Sequence, residues 1–161
     1  MEDLAGSLRE KIRGKAAFVG VGNPLRADDG FGPALIGALK GKIDAELFDC
    51  GTAPENFLGP LSRVSARTVV FVDAADMGVP PGQFGLYDME AIADCGFTTH
   101  SASLSLLTGL LKSENEQLRF CFLLIQPKDL SFREGLSPEI RRGIELLQGV
   151  LGELFPISTK P

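Results

Sequence analysis

Short, continuously apolar runs alternate along this chain with amphipathic stretches of about ten residues, the spacing of strands and crossover helices. Ala16 to Val21, Thr68 to Val72 and Phe120 to Ile125 are apolar on nearly every successive position rather than on every second one, and Ile43 to Phe48 reads as a further strand. Strands of that kind are covered on both faces, so they belong in a mostly parallel sheet with helices on either side. Parallel neighbours joined through helices need right-handed crossovers, and the expected class is α/β.

The intervening segments carry helical spacing. Residues 3–13 place Leu4, Leu8 and Ile12 on one face, and Pro33 to Lys40 does the same with Ala34, Leu35, Ala38 and Leu39. Pro54 to Val64 and Ser101 to Lys112 are further crossover helices. Ser137-Pro138 sets a capping residue before a first-turn proline and opens a closing helix. Pro80-Pro81-Gly82 forces a turn, from which Gln83 to Tyr87 returns as a short strand. The 161 residues read as one domain over 1–155, followed by a loose tail over 156–161.

In such folds ligands bind beyond the carboxyl ends of the parallel strands. The first three strands exit into Gly22-Asn23-Pro24-Leu25-Arg26-Ala27-Asp28-Asp29-Gly30, Asp49-Cys50-Gly51-Thr52 and Asp73-Ala74-Ala75-Asp76. Each exit delivers a carboxylate. Asp28 or Asp29 could cap the next helix. Two acids beside Gly30 and Gly32, however, also suit close approach by a bulky partner. Asp76, followed by Gly78 and two prolines, fits a turn. The single histidine, His100, stands just before the Ser101 helix.

Several chemistries are excluded or weakened. One histidine rules out zinc sites built on two or three imidazoles within the chain. Cys50, Cys95 and Cys121 form no CxxC pair, and no basic neighbour would activate Cys50 as a thiol nucleophile toward His100. Ser101 and Ser103 lack the G-x-S-x-G elbow. Gly20-Val21-Gly22 begins a dinucleotide fingerprint and Asp49 imitates its ribose acid. Leu25 replaces the third glycine and Pro24 removes a donor, which leaves a nucleotide-binding oxidoreductase as a weak alternative. A net charge of −5 argues against nucleic acid as a partner. No apolar run reaches the length of a membrane span, and dispersed thiols without a signal peptide lead to the expectation of a cytoplasmic protein.

Four segments together resemble the hydrogenase maturation endopeptidases, most closely the type serving the formate-hydrogenlyase hydrogenase. They are Gly20 to Gly30, Asp49 to Asn56, Val72 to Gly78 and Thr98-Thr99-His100-Ser101, with softer agreement at Gly85 to Glu90 and Leu124 to Pro127. The resemblance implies a three-layer α/β/α sandwich. Its five-stranded sheet would have order 2-1-3-5-4 with the fourth strand antiparallel. It also implies removal of a C-terminal extension from the large-subunit precursor of a nickel-iron hydrogenase after nickel insertion. No cofactor would be permanently bound, and the substrate's nickel would be contacted by Asp29, Asp73 and His100. Some relatives have Glu at the first position, and many have Gly where Cys50 stands.

Two carboxylates and one imidazole suit nickel or zinc, with coordination sites left for a partner's thiolates or water. The carboxylates Asp29 and Asp73 are the tentative catalytic groups, with Asp49 an outside candidate. Either the metal or a carboxylate could activate water. A non-catalytic nickel-binding or docking module is the alternative. A monomer is the default expectation. All three metal-contacting side chains are expected to share one crevice, each within reach of solvent.

Overall fold

The computed structural model describes residues 3–95, 98 and 100–158, the side chains of 93–95 excepted. The Cys95 thiol, Thr99 and the tail beyond 158 therefore lie outside the described residues.

Helix α1 (Leu4–Lys11) leads into β1 (Ala16–Gly20), α2 (Phe31–Leu39), β2 (Glu46–Asp49), α3 (Leu58–Ser62) and β3 (Thr68–Ala74). The chain continues through β4 (Phe84–Tyr87), α4 (Met89–Cys95), α5 (Ser101–Glu114), β5 (Arg119–Ile125) and α6 (Pro138–Leu154). The sheet order is β2-β1-β3-β5-β4. β1 pairs in parallel with β2 and β3, β3 pairs in parallel with β5, and β4 runs antiparallel to β5. The order and the one reversed strand are those that the resemblance implied. The diproline turn sends the chain back along β5 as an edge strand instead of through a crossover.

β3 lies at the centre and is buried at all seven positions. Its side chains divide by parity. Val70, Val72 and Ala74 pack with α1, α2 and α6, whereas Val69 and Phe71 face the layer that contains α3, α4 and α5. Phe71 stacks on Phe122 at 5.2 Å between centroids. Parity puts Asp73 on the Phe71 side, toward α5.

Four details differ from the sequence expectations. β3 runs on to Ala74, so Asp73 is part of the strand rather than the first residue beyond it. β2 begins at Glu46, after a turn that holds Ile43. The segment from Pro54 splits into a 3-10 turn and the short α3, because Pro60 cannot donate within a longer helix. α4 has too few apolar repeats to signal a helix on its own.

Gly32 explains how the first loop is held over the sheet. A Cβ there would overlap the carbonyl oxygens of Val21 and Val72. The start of α2 is thus pressed onto the ends of β1 and β3, and the loop before it sits above their boundary. Among the described residues no helix is long and apolar enough to cross a membrane.

Candidate metal centre

The loop between β1 and α2 is a folded object with two faces. Gly22 has φ 147°, and a side chain on it would overlap the Asp29 carbonyl oxygen, so the loop closes upon itself. The Asn23 N–H donates to Asp29 Oδ2 at 2.8 Å, and the Leu25 N–H donates to Asn23 Oδ1 at 3.0 Å. Residues Ala27–Gly30 form a 3-10 turn that sends Asp28 and Asp29 in different directions.

Asp28 is fully buried and accepts four hydrogen bonds. Its donors are the Lys128 N–H (2.9 Å), the Asp129 N–H (3.0 Å), the Ser137 N–H (2.7 Å) and the Ser137 hydroxyl (2.8 Å). The carboxylate therefore staples the first loop to the segment between β5 and α6. Two backbone bonds reinforce it, Ala27 N–H to Arg133 O at 2.8 Å and Asp28 N–H to Asp129 O at 3.0 Å. Neither acid caps α2, whose N-cap is Gly30. Ser137 occupies the N-cap position of α6, but its hydroxyl serves Asp28 and makes no capping bond. A helix cap or a place of close approach by a partner was the expectation for Asp28, and it serves as neither. The signal available was the adjacent pair of acids, only one of which a helix start can use.

Asp29 and His100 are half-buried and Asp73 is fully buried, at 0% exposure. One ligand atom from each of the three lies within 4.8 Å of the other two. His100 is held from below. Its N–H donates to Thr98 Oγ1 at 3.0 Å, its carbonyl accepts from Leu104 N–H at 2.9 Å, and the Ser101 hydroxyl ties back to Thr98 O at 2.8 Å. Asp73 Oδ1 accepts the Ala74 N–H at 2.8 Å. Asp73 Oδ2 and His100 Nε2 are buried without a hydrogen bond of standard geometry.

The expectation that all three groups reach solvent fails at Asp73. Because the strand extends past it, its side chain lies beneath Asp29 and His100 as the floor of the cradle. Two of the three predicted groups are at the mouth. Asp49 is exposed, lies outside the trio and accepts its own turn's Gly51 N–H at 3.1 Å. Asp76 forms the expected turn, accepting Gly78 N–H at 3.2 Å. Burial, and then the charge of Asp49, pushes the Cys50 thiol up to about 12, which removes it as a nucleophile at neutral pH.

Burial, and next the negative charge of Asp29, raises the Asp73 carboxyl well above the usual range, against the pull of the Ala74 N–H and the nearby Thr98 hydroxyl. An acid whose pKa is raised on folding binds its proton more tightly in the folded chain. Its penalty is absent at low pH and grows as pH rises above the ordinary carboxylate value of about 3.9. Asp73→Asn is expected to raise the Tm of metal-free protein at pH 8 by at least about 2–4 °C, the response of a chain this size to about 1 kcal/mol. At pH 3 the gain should disappear. Thermal melts in chelator at both pH values check this, and a variant less stable than wild type at pH 8 would contradict it.

A divalent ion removes that penalty. Bonds of about 2.1 Å place ligand atoms on opposite sides of an ion no more than about 4.2 Å apart. The observed spread of up to 4.8 Å thus closes onto an ion with side-chain shifts below an ångström. Two oxygens and one imidazole nitrogen leave room for further ligands brought by a partner.

These features define a class: three-layer α/β/α proteins that can hold a divalent ion between the first loop, the central strand and the start of a helix. A family model described as hydrogenase maturation protease matches residues 34–152. The hydrogenase 3 maturation protease of Escherichia coli K12 is 34% identical over 128 residues, covering 78% of this chain and 81% of that protein. The crystal structure of the NiFe hydrogenase maturation protease HycI from Thermococcus kodakarensis KOD1 superposes with a TM-score of 0.79. Its identity is 25%, with 94% of this chain and 97% of that one covered. The solution structure of the endopeptidase HycI from Escherichia coli gives a TM-score of 0.74 at 27% identity, covering 87% and 90%. The chain belongs to the hydrogenase maturation protease family.

Proposed function

We propose that this protein removes the C-terminal extension of a nickel-iron hydrogenase large-subunit precursor once nickel is in place. The substrate's own nickel would be the recognition element, and no metal would be held permanently by the protease. The convergence of Asp29, Asp73 and His100 carries this reading.

Without an ion the cradle is poorly matched to its own charges. Burial beside Asp29 holds the Asp73 carboxyl well above the usual range, and Oδ2 makes no hydrogen bond of standard geometry. A nickel ion presented by the precursor would favour the charged carboxylate and satisfy the orphaned oxygen and the His100 Nε2 together. A precursor lacking nickel offers nothing to compensate the two acids. Binding energy is thus reserved for the loaded substrate, and the scissile peptide is aligned only then.

Water attacks the aligned carbonyl by one of two routes, polarised by the ion or deprotonated by a carboxylate. Asp73 suits the first better. As the buried floor of the cradle it is placed to serve as a ligand, out of direct reach of solvent. Asp29, half-buried at the mouth with one oxygen not used by Asn23, is the carboxylate positioned to meet a water.

Incubation with nickel-loaded precursor, followed by the mass of the product, tests the reading. Wild type should release the tail, and Asp29→Asn should bind the precursor yet leave its mass unchanged. Binding without tail loss by wild type would instead support a docking module.

A further inference from the structure

Thr98 stands between two members of the trio, bonded to the backbone of His100 and close to the carboxyl of Asp73. We propose that its hydroxyl is a positioning group for the site: it accepts the His100 N–H and donates to the Asp73 carboxylate when an ion occupies the cradle. The inference rests on the functional reading above and names the residue that holds the floor acid and the imidazole in one geometry.

The hydrogen bonds around Thr98 leave its own proton poorly placed. Thr98 is buried, at 7% exposure, so water does not serve its hydroxyl freely. Oγ1 accepts the His100 N–H at 3.0 Å, and a hydroxyl that accepts still has one proton to give. Ser101 Oγ stands at 3.4 Å, beyond the about 2.5–3.0 Å of a formed O–H···O bond. Ser101 is also engaged elsewhere. Its hydroxyl donates to Thr98 O at 2.8 Å and accepts the Thr98 N–H at 3.3 Å.

Asp73 has the matching deficit. Its Oδ2 is buried without a hydrogen bond of standard geometry, while Oδ1 accepts the Ala74 N–H. Burial and the charge of Asp29 raise that carboxyl, and the Ala74 N–H and then the Thr98 hydroxyl pull against them. A carboxylate offers about four lone-pair sites. The Ala74 N–H uses one and an ion would use a second, which leaves room for the hydroxyl. A hydrogen bond to a charged oxygen is about twice as strong as a neutral one, so the acid outcompetes the long contact to Ser101.

One hydroxyl would then fix two ligands that arrive on different elements. Asp73 belongs to β3, whereas His100 is the N-cap residue of α5. Among the described residues no other side chain bonds with both. Partners behind metal ligands typically contribute about 10–100-fold to metal affinity or activity.

The test compares Thr98→Val, Thr98→Ser and Ser101→Ala by calorimetric titration with Ni²⁺ alone and by single-turnover tail removal from nickel-loaded precursor. Valine keeps the shape without the hydroxyl, so Ni²⁺ affinity and rate should both fall about 10–100-fold. Serine restores the hydroxyl and should stay within about threefold of wild type. Ser101→Ala loosens the same turn without touching Asp73 and should also stay within about threefold. Thermal melts establish that each variant is folded. If Thr98→Val matches wild type in both assays, or if Ser101→Ala loses as much as Thr98→Val, the proposal is wrong. Should Thr98→Val fail to fold, Thr98→Ala takes its place with the same expected loss. Wild type that binds Ni²⁺ yet never cleaves loaded precursor would sink the functional reading and leave the Ni²⁺ affinities to decide Thr98. Wild type that cleaves without binding free Ni²⁺ leaves the rates to decide it, and wild type that does neither overturns both.

Discussion

His100→Ala is expected to slow tail removal from nickel-loaded precursor by at least about 100-fold, because losing even a group behind a metal ligand costs about 10–100-fold. Stability should barely change. The bonds that build the start of α5 use the backbone of residue 100, and the imidazole Nε2 has no partner to lose. Single-turnover rates and thermal melts measured side by side separate the two effects. Asp49→Asn is the matching control. Asp49 is exposed and bonded only to its own turn, so its replacement should change the rate by less than about threefold, within the small range of surface substitutions. A His100→Ala enzyme with near-normal rate would remove the imidazole from the site.

Asp28→Ala should be the most destabilising single change in the loop, at about 3–5 kcal/mol. It strands three backbone N–H groups and a hydroxyl in a buried position, each worth about 1–3 kcal/mol if left without an acceptor, with partial relief from entering water. Asp28→Asn keeps the shape but turns an amide against the Ser137 N–H, so about 1–3 kcal/mol should be lost. Ser137→Ala removes one donor of the four and should cost about 1 kcal/mol. Against a total stability of about 5–15 kcal/mol, the alanine variant sits near the limit of folding. Urea midpoints for the three variants give the order directly. A loss below about 1 kcal/mol for Asp28→Ala would show that the loops hold together without the carboxylate.

The contrast between Asp28 and Asp29 also shows what could be read from the residues alone. Continuous apolar runs and the diproline turn were enough for the layers and the strands, because burial on both faces leaves its mark on every position of a strand such as Thr68 to Val72. The meeting of Asp29, Asp73 and His100 was implied by the family resemblance, with the acidic strand exits and the lone histidine in agreement. Depth was not legible. Whether Asp73 ends the strand or lies within it depends on pairing of Asp73 and Ala74 with Leu124 and Ile125. That pairing involves residues about fifty positions away. The same holds for Asp28, whose partners stand at 128, 129 and 137. Local spacing suggested a helix cap, and tertiary contacts made it a staple. Ser137 holds the expected N-cap position before Pro138, but for the reciprocal reason its hydroxyl turns to Asp28.

Under the proposed function, the substrate's ion turns the cradle from a mismatched site into a satisfied one. The direct measurement is the intact mass of the large-subunit precursor after incubation with this protein, in parallel nickel-loaded and nickel-free samples. Loss of the C-terminal extension from the loaded sample alone is the predicted result. Equal cleavage of both samples would contradict it.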